Sequence, residues 1–95
     1  MAEQVKINFD IKERLDSKTG NKCIEIYAEY KIHKKYRYMR YASLHEIDKS
    51  FVWTNLVTNA PTTILNKNLE ETIELVKDEI IQIIQEHNSA YRFVK

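Results

Sequence analysis

The sequence predicts an α+β fold in which an antiparallel β-meander of three to four strands carries one long C-terminal helix packed on one face. Three observations support this prediction. Apolar and polar residues alternate with period two in the N-terminal part of the chain, as in half-buried strands. Apolar residues recur at helical spacing near the C-terminus. A single glycine and a single proline favour long elements joined by few tight turns.

The length and composition predict one globular α+β domain over residues 1–95, with 1–60 mainly β and 68–88 helical. The chain is 43% hydrophobic and 31% charged, which is ordinary for a folded domain. Cys23 is the only cysteine, so no disulfide can form within the chain and a cytoplasmic setting is favoured. The N-terminus has no apolar signal segment, and no apolar run is long enough for a membrane span. Frequent Ile, Asn, Lys and Tyr indicate an AT-rich coding sequence, as in low-GC bacteria and their phages or mobile elements.

Two strands are predicted at the N-terminal end. Val5, Ile7, Phe9, Ile11 and Leu15 share one parity in the first strand. Residues 16–21 supply a turn, with Gly20 as the natural site for positive φ. The second strand covers residues 22–32. Its two faces carry Ile24, Ile26, Ala28, Tyr30 and Ile32 on one side, and Cys23, Glu25, Tyr27, Glu29, Lys31 and His33 on the other.

The third strand, 36–41, requires a choice of register, because directly opposed residues point to the same face of a sheet. A two-residue loop at 33–34 would pair Ile32 with Lys35 and place cations on the core side. A three-residue loop pairs Ile32 with Tyr36 and Tyr30 with Tyr38, which buries aromatic side chains. Burial therefore favours the three-residue loop, at the cost of a positive φ near Lys35.

The segment after Tyr41 is less regular. Residues 43–46 have capping-box spacing, which predicts a one-turn helix through Lys49. Residues 51–57 are β-prone on both faces and predict a fourth strand or a buried extended segment. Residues 58–63, which include Pro61, are interpreted as a loop.

The C-terminal helix is predicted over residues 69–87. Asn68 is a good N-cap residue and Glu71 stands at the third helical position. Leu69, Ile73, Val76, Ile80, Ile83, Ile84 and His87 form its apolar stripe. Residues 89–95 fit either a continued helix or a short strand, since Tyr91 and Phe93 also alternate.

The sequence contains no recognisable pattern of catalytic residues. His33, His45 and His87 have no metal-ligand spacing among themselves or with Cys23. One glycine cannot make a glycine-rich phosphate loop, and the acidic residues form no catalytic pair. The sequence therefore predicts that the protein is not an enzyme and that it binds no cofactor and no metal.

The segment from Tyr30 to Tyr41 is the one local anomaly of charge, because it has five cations and four tyrosines but no acidic residue. Such a run favours nucleic-acid binding, since cations neutralise phosphates and exposed aromatic rings stack on bases. The chosen register makes Tyr30, Tyr36 and Tyr38 core residues and leaves Tyr27 and Tyr41 facing outward. The predicted binding residues are Lys31, Lys34, Lys35, Arg37, Arg40, Tyr41 and Tyr27.

Two other interpretations of the chain stay open. Lysine and arginine on an edge strand also prevent edge-to-edge aggregation without any partner. Alternatively, Leu75, Ile81, Trp53 and Met39 are hard to bury together behind one helix, and apolar residues left exposed would mark a protein interface. That alternative is a protein-interaction module: an inhibitor, an adaptor or a homodimer, of phage or mobile-element origin.

Overall fold

The computed structural model describes residues 3–18, 20–47, 50–64 and 68–95. These residues form seven strands and one helix. The strands are Glu3–Lys6 (β1), Asn8–Leu15 (β2), Lys22–Ile32 (β3), Lys35–Ile47 (β4), Ser50–Asn55 (β5), Ala60–Ile64 (β6) and Tyr91–Val94 (β7), and the helix is Leu69–His87 (α1).

The main sheet is a five-stranded antiparallel meander in the order β2-β3-β4-β5-β6. The predicted α+β class is therefore confirmed, but the sheet has more strands than the three to four expected. The difference comes from the segment after Tyr41. β4 continues as strand through Ile47 where a one-turn helix was predicted over 43–49, and that prediction is wrong as far as Ile47. Its last two residues, 48 and 49, lie outside the described part of the chain.

The predicted loop at 58–63 is also wrong from Ala60 onward, because β6 runs through it and pairs with β5. Pro61 lies opposite Thr54 in this ladder. β6 is the last strand of the sheet, where a proline costs no central ladder hydrogen bond. The predicted strand at 51–57 is confirmed in its existence and ends at Asn55.

The helix prediction is confirmed at both ends. The Asn68 side chain accepts a hydrogen bond from the Glu71 backbone N–H at 3.2 Å, as an N-cap residue should. The buried side of α1 is a line of residues four apart: Thr72, Val76, Ile80 and Ile84. Within the described residues, no helix combines the length and the apolar character required to cross a bilayer.

The predicted first strand is divided at Ile7 into β1 and β2, and β1 pairs in parallel with β7. The ambiguous segment 89–95 is thus a strand at Tyr91–Val94. Phe93 lies opposite Val5, and its ring meets the Tyr30 ring edge-to-face with centroids 5.3 Å apart. This pair of strands closes the core beside the hairpin formed by β3 and β4.

The core lies between α1 and the face of the main sheet that we call the helix-side face; the opposite face is the outer face. The parity predicted for β3 is confirmed, because Ile24, Ile26, Ala28 and Tyr30 are all buried. The remaining core residues are Val5, Ile7, Tyr41, Ala42, Leu44, Trp53, Val76, Ile80, Ile84 and Phe93.

Candidate nucleic-acid interface

The hairpin of β3 and β4 extends past the strands on either side of it. β2 pairs with β3 only as far as Glu29, and β5 pairs with β4 only from Ala42 onward. Residues 30–37, which we call the hairpin tip, therefore form a two-stranded ribbon without a main-sheet neighbour. The helix-side face of this ribbon packs against β7, but its edges, its turn and its outer face are open to contact with a nucleic acid.

The turn at the tip has two residues, His33 and Lys34, with φ of 49° and 65°. Ile32 pairs with Lys35 across it. Both turn residues occupy the left-handed region, as in the turns that fit the twist of a hairpin. The predicted three-residue loop with a positive φ at Lys35 is therefore wrong.

The register has a direct effect on the tyrosines. Tyr36 pairs with Lys31 and Tyr38 pairs with Glu29, so both tyrosines lie on the outer face and not in the core as predicted. Tyr36 has 64% of its surface exposed. Arg37 pairs with Tyr30 and therefore lies on the helix-side face, opposite to its predicted position.

A β-bulge at Tyr41 restores the parity that burial requires. The ladder pairs Tyr27 with Arg40 and Ile26 with Ala42, which leaves Tyr41 as the extra residue between them. Tyr41 and Ala42 are both buried, and Tyr41 is only 5% exposed. The prediction that Tyr41 faces outward is wrong, so its ring is not available for stacking on a base from the outer face.

The structure separates the five predicted cations into two groups. Arg40 donates to the Glu25 carboxylate, which also accepts from Arg14 Nε at 2.7 Å. Lys31, Lys34, Lys35 and Arg37 have no carboxylate within 4.0 Å among the described residues, and we call them the tip cations. Four of the five predicted cations are thus free to meet an external anion.

The outer face beside the tip is occupied by interactions within the protein. The Tyr27 and Tyr38 rings stack with centroids 5.2 Å apart, and Lys12 Nζ lies 4.9 Å from the Tyr27 centroid. Tyr38 donates to Asp10 at 2.7 Å. One face of the ring of Tyr27, a predicted stacking residue, is therefore covered by Tyr38. The Lys12 ammonium group lies against the rings of Tyr27 and Tyr38.

Tyr36 is the most exposed of the three tyrosines whose predicted positions are wrong, the others being Tyr38 and Tyr41. Its hydroxyl donates to Glu29, and this hydrogen bond raises the pKa of Tyr36, so the hydroxyl stays protonated at neutral pH. The ring shares the outer face of the ribbon with Lys31, whereas Lys35 and Arg37 lie on the helix-side face. The alternation of the two faces along β4 is interrupted at the bulge at residue 41 and not in the turn. The sequence would predict the exposure of Tyr36 only if that position were known.

Other chemically active side chains are engaged elsewhere. His33 and Tyr91 share a hydrogen bond between Nε2 and the hydroxyl, which ties the turn to β7. Cys23 is fully buried with its Sγ 3.8 Å from His45 Nε2, and burial raises the pKa of its thiol, which disfavours a reactive thiolate. The described residues contain no group of three or more His, Cys, Asp or Glu that could hold a metal ion.

Comparison of the chain with protein-family models, curated proteins and solved structures found no match.

Proposed function

We propose that the protein is a binding module that contacts nucleic acid through the hairpin tip. The observation behind this proposal is the set of four tip cations, which have no carboxylate within 4.0 Å in the described part of the chain, on a ribbon that extends past its main-sheet neighbours. Phosphates are the abundant anions that such a cluster attracts, and their neutralisation releases counterions. The binding residues under this proposal are Lys31, Lys34, Lys35 and Arg37. Tyr36 is the stacking ring and replaces the predicted Tyr41 and Tyr27 in that role.

The alternative role of these cations as protection against strand pairing accounts for part of the pattern. β4 has a free edge between Lys35 and Arg40, and charged side chains on an edge discourage pairing with another chain. Lys31 lies on a free edge as well, because β2 pairs with β3 only as far as Glu29. Edge protection therefore leaves only Lys34, in the turn, unexplained, whereas anion binding accounts for all four tip cations.

The direct test is charge reversal at the tip. We expect Lys35→Glu with Arg37→Glu to weaken binding to a labelled single-stranded oligonucleotide by about tenfold or more, measured by fluorescence anisotropy in about 0.1 M salt. The matched control is Lys18→Glu with Lys22→Glu, which changes the net charge equally at the opposite end of β3. The control should bind like the unaltered protein.

Two results would overturn the proposal. One is a dissociation constant of the unaltered protein for DNA and RNA in the millimolar range or weaker. The other is an equal loss of affinity in the tip variant and the control, because net charge and not the tip would then determine binding.

A second candidate function, protein–protein interaction, is favoured by a separate surface. Leu75 on α1 is 51% exposed and lies with Ile64 and Trp53 around a groove of about 550 Å³ between the helix and the β5–β6 hairpin. Asp78 and Glu79 also line this groove. Of the four residues that motivated this alternative, Trp53 is buried and Ile81 packs partly buried against the core, whereas Leu75 and Met39 are exposed.

Light scattering and nuclease treatment separate the two candidates. A homodimer built on the groove would show a concentration-dependent mass that Leu75→Glu abolishes. Partners captured by the intact protein should be lost after nuclease treatment under the nucleic-acid proposal. Nuclease-resistant protein partners that are lost with Leu75→Glu would favour the second candidate.

A further inference from the structure

A cavity of about 280 Å³ lies between the hairpin tip and the C-terminal end of α1. Its apolar walls are Met39 from β4, Val57 from the turn after β5, and Ile83 from the helix. The cavity is on the helix-side face of the hairpin, the side to which Lys35 and Arg37 also belong. One of the four tip cations, Arg37, lines this cavity, which we call the tip cavity.

The most buried residues that line the tip cavity are Ile84, Tyr41 and Tyr30, and we call them its floor. Burial, and then the neighbouring Tyr30 side chain, raises the pKa of Tyr41. The bulge is the feature that turns Tyr41 into this position. The floor of the cavity thus offers hydroxyl groups that can donate to or accept from a ligand.

The rim of the tip cavity carries Arg37 and His87. Arg37 is exposed and, among the described residues, has no carboxylate within 4.0 Å. His87 is the last residue of α1. A ligand with a planar, partly apolar body and an attached anionic group would match the walls, the floor and the Arg37 side chain together.

We propose that the tip cavity receives one nucleobase of a single strand whose phosphate is held by Arg37. This inference rests on the proposed function and names the form of nucleic acid that it requires. The cavity lies just below the range of about 300–1,000 Å³ typical of drug-sized ligands, so it suits one base and not a base pair. A base within a duplex would have to be unstacked first, which costs binding energy, so single strands should bind more tightly than duplexes.

The experiment compares two probes of equal length: labelled oligothymidylate, and an abasic oligonucleotide that keeps the phosphates but lacks the bases. We expect the unaltered protein to prefer the base-containing probe by about tenfold, which is typical for one engaged base. Ile83→Trp fills the cavity and should reduce this preference to the part that stacking on Tyr36 supplies, while leaving affinity for the abasic probe unchanged. Leu75→Trp, on the same helix but outside the cavity, should keep the preference.

Met39→Trp is a second variant that fills the cavity. The Met39 side chain is already half exposed, so this variant should fold even if Ile83→Trp does not. Circular dichroism melting confirms that each variant is folded. The tip cavity is excluded as the base site if the preference is undiminished in both filling variants, or if a duplex binds more tightly than the single strand. The proposed function would stand in that case, with bases stacking on Tyr36. If neither probe binds the unaltered protein, both proposals fail.

Discussion

Glu25 shows at the residue scale why charge counting along the sequence overstates the binding surface. Its side chain is buried on the outer face and is bonded to two arginines, Arg14 and Arg40. Burial alone would raise the pKa of Glu25, but the hydrogen bond from Arg40 and the charges of both arginines outweigh it and lower the pKa below 4.5. One carboxylate in β3 thus withdraws Arg40 from the run of cations that the sequence presents as equivalent.

Replacement of Glu25 tests this interpretation through the pH dependence of stability. Because the folded pKa is lowered, the stabilisation is fully present above the unfolded value and is lost as the pH falls through the folded value. We expect Glu25→Gln to lower the free energy of unfolding by about 2 kcal/mol at neutral pH, measured by urea denaturation. The deficit should shrink in acid, where the native carboxylate is also protonated.

Glu13→Gln is the control for that measurement. Its ion pair with Lys22 joins two exposed side chains at 3.2 Å and should contribute less than about 1 kcal/mol. If Glu13→Gln and Glu25→Gln lose equal stability at neutral pH, the special role assigned to Glu25 is wrong.

At the scale of elements, the sequence predicts what depends on local patterns. The bounds of β3 and α1 follow from periodicity and an N-cap, and both agree with the structure. The three-residue loop and the bulge at Tyr41 produce the same pairing of Ile26 with Ala42, so burial of the distant residues could not distinguish them. The choice affects only the residues between the turn and the bulge, which include the candidate site.

The C-terminal strand is the element whose role the sequence left open. Phe93→Ala should lower the free energy of unfolding by about 3 kcal/mol, because it removes a buried ring packed on Tyr30 opposite Val5. Arg92→Ala, at the adjacent exposed position, should change stability by less than about 0.5 kcal/mol. Chemical denaturation of both variants decides the matter, and a Phe93→Ala protein as stable as Arg92→Ala would show that β7 is not part of the core.

The whole molecule separates charges that nearly cancel in its formal net charge of +1. The tip cations stand at one end of the hairpin, beside the C-terminal end of α1. The N-terminal half of the helix carries the acidic side chains Glu70, Glu71, Glu74, Asp78 and Glu79. The molecule extends 45 Å along its longest axis. The sequence identifies both charged segments but not their placement, since that depends on which end of α1 meets the hairpin.

The number of tip cations predicts how strongly binding depends on salt concentration. Four phosphate contacts to a single strand give a slope of about −3 in a plot of log affinity against log salt concentration. Lys34→Ala should reduce the slope by about 0.7, whereas Arg40→Ala should leave it unchanged because Arg40 is already paired with Glu25. Titrations at several salt concentrations measure both slopes. Equal reductions in the two variants would contradict the division of the cations.

The parallel pairing of β1 with β7 has a mechanical consequence. The first and last strands run in the same direction, with Glu3 opposite Tyr91 and Lys6 opposite Val94. Tension applied at the two ends of the chain would slide these strands past each other, so their hydrogen bonds would bear the load together and would not open one at a time. Forced unfolding is governed by the unfolding rate and not by equilibrium stability. A short pair of strands can therefore act as a clamp against pulling, although it contributes few of the contacts in the fold.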